Sequence, residues 1–150
     1  MFADCSSLKW LPDISGWNTS KIKDMNNLFF GCKSLTSLPD ISNWDTGEVE
    51  IMSNLFYGCF SIKSIPNISE WNTSKVKTIA HMFCNCESLE LLPDISRWDI
   101  SNVKNEKIKL YANNSPITKE IPKWNIYDII YIDEVVDGCI NCVMIWKKFF

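Results

Sequence analysis

A chain of 150 residues has the length of one domain, and an apolar content of 46% with only five glycines and six prolines excludes a disordered chain. The net charge of −3, with lysines and arginines scattered among acids, gives no basic footprint for nucleic acid. Asp4 interrupts any secretory-type apolar run at the start, and the apolar stretch Cys142 to Trp146 is far too short to cross a bilayer, so no signal or integral membrane segment is expected.

From Phe2 onward one pattern recurs every 27 residues. Phe2, Phe29, Phe56 and Phe83 keep this phase, as do Cys5, Cys32, Cys59 and Cys86. So do Pro12, Pro39, Pro66 and Pro93, and Trp17, Trp44, Trp71 and Trp98. Several residue types held in one phase are the signature of a solenoid, in which each repeat is one coil that cannot bury its apolar side alone.

Within one coil, Met25, Leu28, Phe29 and Cys32 fall at i, i+3, i+4 and i+7, the stripe of a helical face, and Gly31 suits a left-handed cap. The pattern predicts about two turns of helix over residues 24–31. Ser34-Leu35-Thr36-Ser37-Leu38, bounded by Pro39, reads as a brief strand that would stack with its copies into a parallel sheet. Pro39-Asp40-Ile41-Ser42 turns the chain, with the Asp side chain accepting from nearby backbone N–H groups. Trp44 returns an aromatic ring to the core beside the Ile14, Ile41, Ile68 and Ile95 column. Asn18-Thr19, Asp45-Thr46 and Asn72-Thr73 are further turn residues, and Val49 and Met52 lead back through a second short strand. Lys21, Glu48 and Lys75 share one outward rung and Lys23, Glu50 and Lys77 another, so signs alternate from coil to coil; exposed pairs of this kind contribute little.

The expected fold class is therefore an α/β repeat, a single solenoid of short parallel strands alternating with short helical turns. Regular coils fill residues 1–103. Asn113 stands where the next cysteine is due, so 104–120 reads as a degenerate half-coil. Trp124, Gly138 and Cys139 restore a poor fifth coil over 121–142, and 143–150 is a tail. Met1-Phe2 begins in mid-coil, and the apolar tail offers no polar cap, which makes self-association through uncapped ends an expectation.

The run Leu28-Phe29-Phe30-Gly31-Cys32-Lys33-Ser34-Leu35-Thr36-Ser37-Leu38-Pro39-Asp40-Ile41-Ser42-Asn43-Trp44-Asp45-Thr46 resembles the repeat of BspA-like leucine-rich-repeat surface proteins. Their scheme is M-F-x-x-C-x-S-L-x-x-L, then I-S-x-W-N/D-T-S-x-V-x-x-M. The resemblance covers residues 1–103 well and 121–142 poorly. It implies a right-handed leucine-rich-repeat-like solenoid and a family associated with surface display, adhesion and protein binding.

Several side chains invite chemistry, and each has a plainer reading. Cys84-x-Cys86 and Cys139-x-x-Cys142 have zinc-ligand spacings, yet Cys86 and Cys139 sit two coils apart, about 10 Å, which is too far to share an ion. Cysteines up the ladder stand about 4.8 Å apart, against about 3.8 Å between the Cβ atoms of a disulfide, so buried reduced thiols are expected. His81, the only histidine, precedes Cys84 by one helical turn, but earlier coils carry Asn27 and Asn54 at its position, which reads as an exposed site. Asp13, Asp40, Asn67 and Asp94 share a rung with too few oxygens for calcium, and cap turns instead. Asn18-Thr19-Ser20, Asn67-Ile68-Ser69 and Asn72-Thr73-Ser74 match glycosylation acceptors, but repeat turns generate that triplet by themselves.

The sequence thus reads as a non-enzymatic, cofactor-free protein-binding module of adhesion type with an unidentified protein partner. Its binding face would be the outward column Lys9, Trp10, Thr36, Ser37, Lys63, Ser64, Glu90 and Leu91, with Trp10 and Leu91 as apolar anchors. The alternatives are a structural element that stacks end to end and, more weakly, a zinc-binding regulator. The compartment stays open: the resemblance implies a cell surface, whereas reduced cysteines fit an intracellular chain.

Overall fold

The computed structural model describes residues 1–90 and 93–103. The half-coil 104–120, the fifth coil 121–142, the tail 143–150 and Leu91 lie outside the described residues. Within them the chain winds as stacked coils of 27 residues, 6–32, 33–59, 60–86 and 87–103, the last incomplete, with residues 1–5 ending the turn run that precedes the first.

The run expected as a helix is a chain of turns, and its backbone hydrogen bonds alternate in direction. The N–H groups of Met25, Asn27, Phe29 and Gly31 donate to Ile51, Ser53, Leu55 and Tyr57 of the next coil at 2.8–3.1 Å. Those of Leu28, Phe30 and Cys32 turn back three residues, to Met25, Asn27 and Phe29, at 3.2 Å each. One coil later, Met52, Asn54, Phe56 and Gly58 donate onward to Thr78, Ala80, Met82 and Cys84 at 2.8–3.0 Å.

Left-handed residues enforce the alternation. Asn27, Asn54 and His81 have φ near 57°, 56° and 56°, and four residues on Asp4, Gly31, Gly58 and Asn85 have φ of 59°, 67°, 71° and 58°. Two such residues per run break the i→i−4 ladder of a helix and aim every second amide along the stack. Only Gly, Asn, Asp and His adopt this region readily, and only those types occupy these two rungs. The expected helix over 24–31 is thereby corrected, although its inward stripe survives: Met25, Phe29 and Cys32 are buried, and Leu28 is half-buried.

The expected strand over 34–38 is likewise reduced to single rungs. Thr36 N–H donates to Lys9 O at 3.2 Å, Lys63 to Thr36 at 3.3 Å and Glu90 to Lys63 at 3.0 Å, with no strand formed among the described residues. The only β pairings there are isolated parallel bridges, Asp24 to Ile51 and Ile51 to Thr78, at the second site where the chain extends.

The core is a set of columns running along the stack. Phe29 stacks on Phe56 at 5.6 Å between ring centroids, and Phe56 on Phe83 at 5.7 Å, with planes within 7°. The Trp17, Trp44, Trp71 and Trp98 rings follow at 6.2–6.3 Å and within 8°. Ile14, Ile41, Ile68 and Ile95, together with Leu35, Ile62 and Leu89, fill the space between and are buried. Trp44, Trp71 and Trp98 are at most 7% exposed, whereas Trp17 in the first coil is 39% exposed and departs from the expected buried ladder.

Candidate protein-binding face

Single-residue rungs put Lys9, Thr36, Lys63 and Glu90 in one outward column, because the N–H groups of Thr36, Lys63 and Glu90 each donate to the residue one coil before. The Thr36 hydroxyl adds a second bond to Lys9 O at 3.3 Å. Trp10, Ser37 and Ser64 follow in the neighbouring column, and all seven residues are exposed. Behind them Leu35, Ile62 and Leu89 are fully buried, so the core fixes which way this surface points. Trp10 stands out at 71% exposed, the largest exposure of any described tryptophan. The face is otherwise polar and of mixed charge.

The cysteine column is chemically quiet. The thiols of Cys32, Cys59 and Cys86 donate to the carbonyls of Phe2, Phe29 and Phe56 of the preceding coil at 3.1–3.2 Å. Burial pushes the Cys32 thiol up to about 11 and Cys86 up to about 12, and it raises Cys59 as well. They remain protonated donors and form no disulfides. Cys84, also buried, lies with its Sγ 3.5 Å from Nδ1 of His81. His81 is half-buried and left-handed, not the exposed side chain its position suggested. Among the described residues no three His, Cys, Asp or Glu side chains are grouped to hold a metal ion, while Cys139 and Cys142 lie outside them.

The acidic rung caps turns. Asp13, Asp40, Asn67 and Asp94 each accept the N–H of the serine two residues on, at 2.9–3.0 Å. The hydroxyl and amide of Ser15 lower the Asp13 carboxyl below its ordinary range, and the amides and hydroxyls of Ser42 and Ser96 do the same for Asp40 and Asp94. At the glycosylation-like triplets, Asn18 and Asn72 accept both the amide and the hydroxyl of Ser20 and Ser74, the hydroxyls at 2.7 Å. The alternating charges pair as the rungs imply, Lys75 with Glu48 and Lys77 with Glu50, both at 2.5 Å, and Arg97 pairs with Glu70.

Three polar columns were not anticipated. The indoles of Trp44, Trp71 and Trp98 donate to Ile14, Ile41 and Ile68 of the coil before. The hydroxyls of buried Thr19, Thr46 and Thr73 donate to residues 45, 72 and 99 of the coil after. The left-handed rungs are the third, expected only at Gly31, and here a signal existed: Asp4, Gly31, Gly58 and Asn85 share one phase, with Asn27, Asn54 and His81 in another.

Stacked turn-rich coils around a buried aromatic core define, among the described residues, a repeat protein. A family model described as Mycoplasma protein of unknown function, DUF285, matches residues 1–124, and the chain belongs to that family. A solved structure of a leucine-rich repeat protein from Eubacterium ventriosum is similar at 22% identity and a TM-score of 0.40, covering 69% of this chain but 24% of that one. No curated protein matches the chain. Among the described residues no helix is long and apolar enough to cross a membrane.

Proposed function

We propose that this chain is a non-enzymatic protein-binding module of the adhesion type, wound right-handedly in the manner of leucine-rich repeats and contacting its partner through Lys9, Trp10, Thr36, Ser37, Lys63, Ser64 and Glu90. The observation that carries this reading is Trp10, a large aromatic 71% exposed on a face whose neighbours are polar. Indoles in such positions anchor interfaces, surrounded by polar contacts that exclude water. Surface plasmon resonance against a panel of extracellular proteins tests it, using the wild-type chain and Trp10→Ser. Binding that falls roughly tenfold or more in Trp10→Ser supports the face. Binding indifferent to Trp10→Ser and Lys63→Glu contradicts it.

A further inference from the structure

Resting on the reading of this face as the contact surface, we propose that its occupant is an acidic segment of a partner polypeptide, with carboxylates over the first three coils and a cation at the fourth. The carrying observation is where the chain leaves its own cations unpaired. Among the described residues Lys75, Lys77 and Arg97 are held in ion pairs, and Lys21 and Lys23 share rungs with Glu48 and Glu50. The remaining lysines there, Lys9, Lys33 and Lys63, all lie exposed on this face, and none is in an ion pair.

These lysines belong to two adjoining columns. The amides of Thr36 and Lys63 donate to Lys9 and Thr36, and those of Ser34 and Ser88 donate to Ser6 and Phe60, so both columns keep register. Lys9, Lys33 and Lys63 therefore follow one another coil by coil, about 4.8 Å apart along the stack. No acid stands in either column, or in the Trp10 column beside them, before Glu87 and Glu90 in the fourth coil. Asp13 and Asp40, the next acids along these coils, accept the amides of Ser15 and Ser42 at the turn beyond. The hydroxyls of Ser37 and Ser64 are without a partner among the described residues, and Lys33 Nζ lies 6.0 Å from the Phe60 ring centroid. Ammonium groups, these hydroxyls and the Trp10 indole can all donate, and ionised carboxylates, which only accept, complement them.

Glu87 and Glu90 decide the class of partner. A nucleic acid or a sulfated polysaccharide carries one sign along its whole length, and one lying along the stack is repelled at the fourth coil. The net charge of −3 adds to that repulsion. A polypeptide changes sign from one residue to the next and can set a lysine or arginine against Glu90. Complementarity of this kind selects a partner and fixes its direction along the stack. Exposed pairs contribute little one at a time, so the contact is weak and salt-sensitive.

Fluorescence anisotropy of labelled peptides against the full chain, at about 20 and about 200 mM salt, tests the inference. One probe alternates glutamate with serine and ends in two lysines; the other carries glutamate and serine alone. Heparin and single-stranded DNA serve as competitors. The lysine-ended peptide should bind, roughly tenfold more weakly at the higher salt and roughly tenfold more weakly to Lys9→Gln/Lys63→Gln. It should bind several-fold better than the all-acidic peptide, and Glu90→Gln should remove that advantage. Lys9, Lys63 and Glu90 are exposed, so these variants leave the core intact. No peptide binding up to about 1 mM, binding indifferent to Lys9→Gln/Lys63→Gln, or tighter binding of heparin or DNA overturns the inference. A protein in the resonance panel that is lost in Trp10→Ser but kept in Lys9→Gln/Lys63→Gln overturns the acidic segment and keeps the face. Lysine-dependent peptide binding while no extracellular protein binds supports the acidic segment and removes the adhesion reading.

Discussion

The indole N–H of Trp71 donates to the carbonyl of Ile41, thirty residues earlier and one coil down the stack, at 3.0 Å. Trp44 and Trp98 make the same bond to Ile14 and Ile68, at 3.1 and 2.9 Å. The ladder therefore holds the coils by packing and by polar bonds at once, and each bond satisfies a carbonyl buried between coils.

Trp71→Phe separates the two contributions. A phenyl ring preserves much of the stack with Trp44 and Trp98 but leaves the Ile41 carbonyl without its donor, a loss of about 1–3 kcal/mol. Trp71→Ala also opens a cavity and should cost about 3–5 kcal/mol. Urea denaturation followed by circular dichroism measures both, and equal losses would mean that the hydrogen bond contributes nothing.

The left-handed rungs make a second prediction. Gly58 has φ of 71°, and a Cβ there would come no closer than 3.7 Å to Gly31 Cα, an ordinary contact. Gly58→Ala should still destabilise by about 1–2 kcal/mol from conformation alone. Gly58→Asn should cost less, since Asn85 holds the same rung at φ of 58°. If the two variants lose equal stability by thermal melting, backbone conformation is not what selects these residues.

Those rungs mark where the sequence was legible and where it was not. Phase alone identified the coils, because only in-register stacking explains Trp44, Trp71 and Trp98 at one spacing. The inward stripe Met25, Phe29 and Cys32 was also read correctly, but a tandem of turns advances its buried residues at nearly the same spacing as a helix. Periodicity cannot separate the two; the Asn27, Asn54, His81 rung can, although in the sequence it resembles ordinary variation at an exposed position. The extended segment at Ser34–Leu38 was legible as extended, yet its lateral bonds are too few to form a strand. For the site, burial of Leu35 and Leu89 made the exposure of Thr36 and Glu90 foreseeable. The partner is not legible, since a column of polar side chains carries no partner's name.

The cysteine column predicts selective labelling. Cys5 is exposed, while Cys32, Cys59 and Cys86 are buried donors with raised thiol values. A thiol reagent at neutral pH should modify Cys5 quickly and those three only as the chain unfolds. Rapid labelling of Cys59 in the native state, read by peptide mass spectrometry, would refute the column.

Stability should fall at both extremes of pH. An unfolded thiol ionises near its ordinary 9.0, whereas folded Cys86 keeps its proton to about 12, so stability present below 9 is lost as pH rises through that window. Asp13, Asp40, Asp94 and Asp99 are held below the ordinary carboxyl value of 3.8, so their contribution is present above it and is lost as pH falls through the lowered values. Melting temperatures from acid to alkaline pH check both limbs, and a Cys86→Ala variant should show a shallower alkaline one.

The winding of the chain is tested most directly by scalar coupling across hydrogen bonds in a nitrogen- and carbon-labelled sample. In the stacked-turn coil, the amide of Phe29 couples to the carbonyl of Leu55 and that of Phe56 to Met82, partners 3.0 and 2.9 Å away in the next coil. A helix over the same residues would couple Phe29 to Met25 and Phe56 to Met52. Cross-coil couplings at both positions are the predicted result; couplings four residues back would contradict the coil on which the columns and the binding face depend.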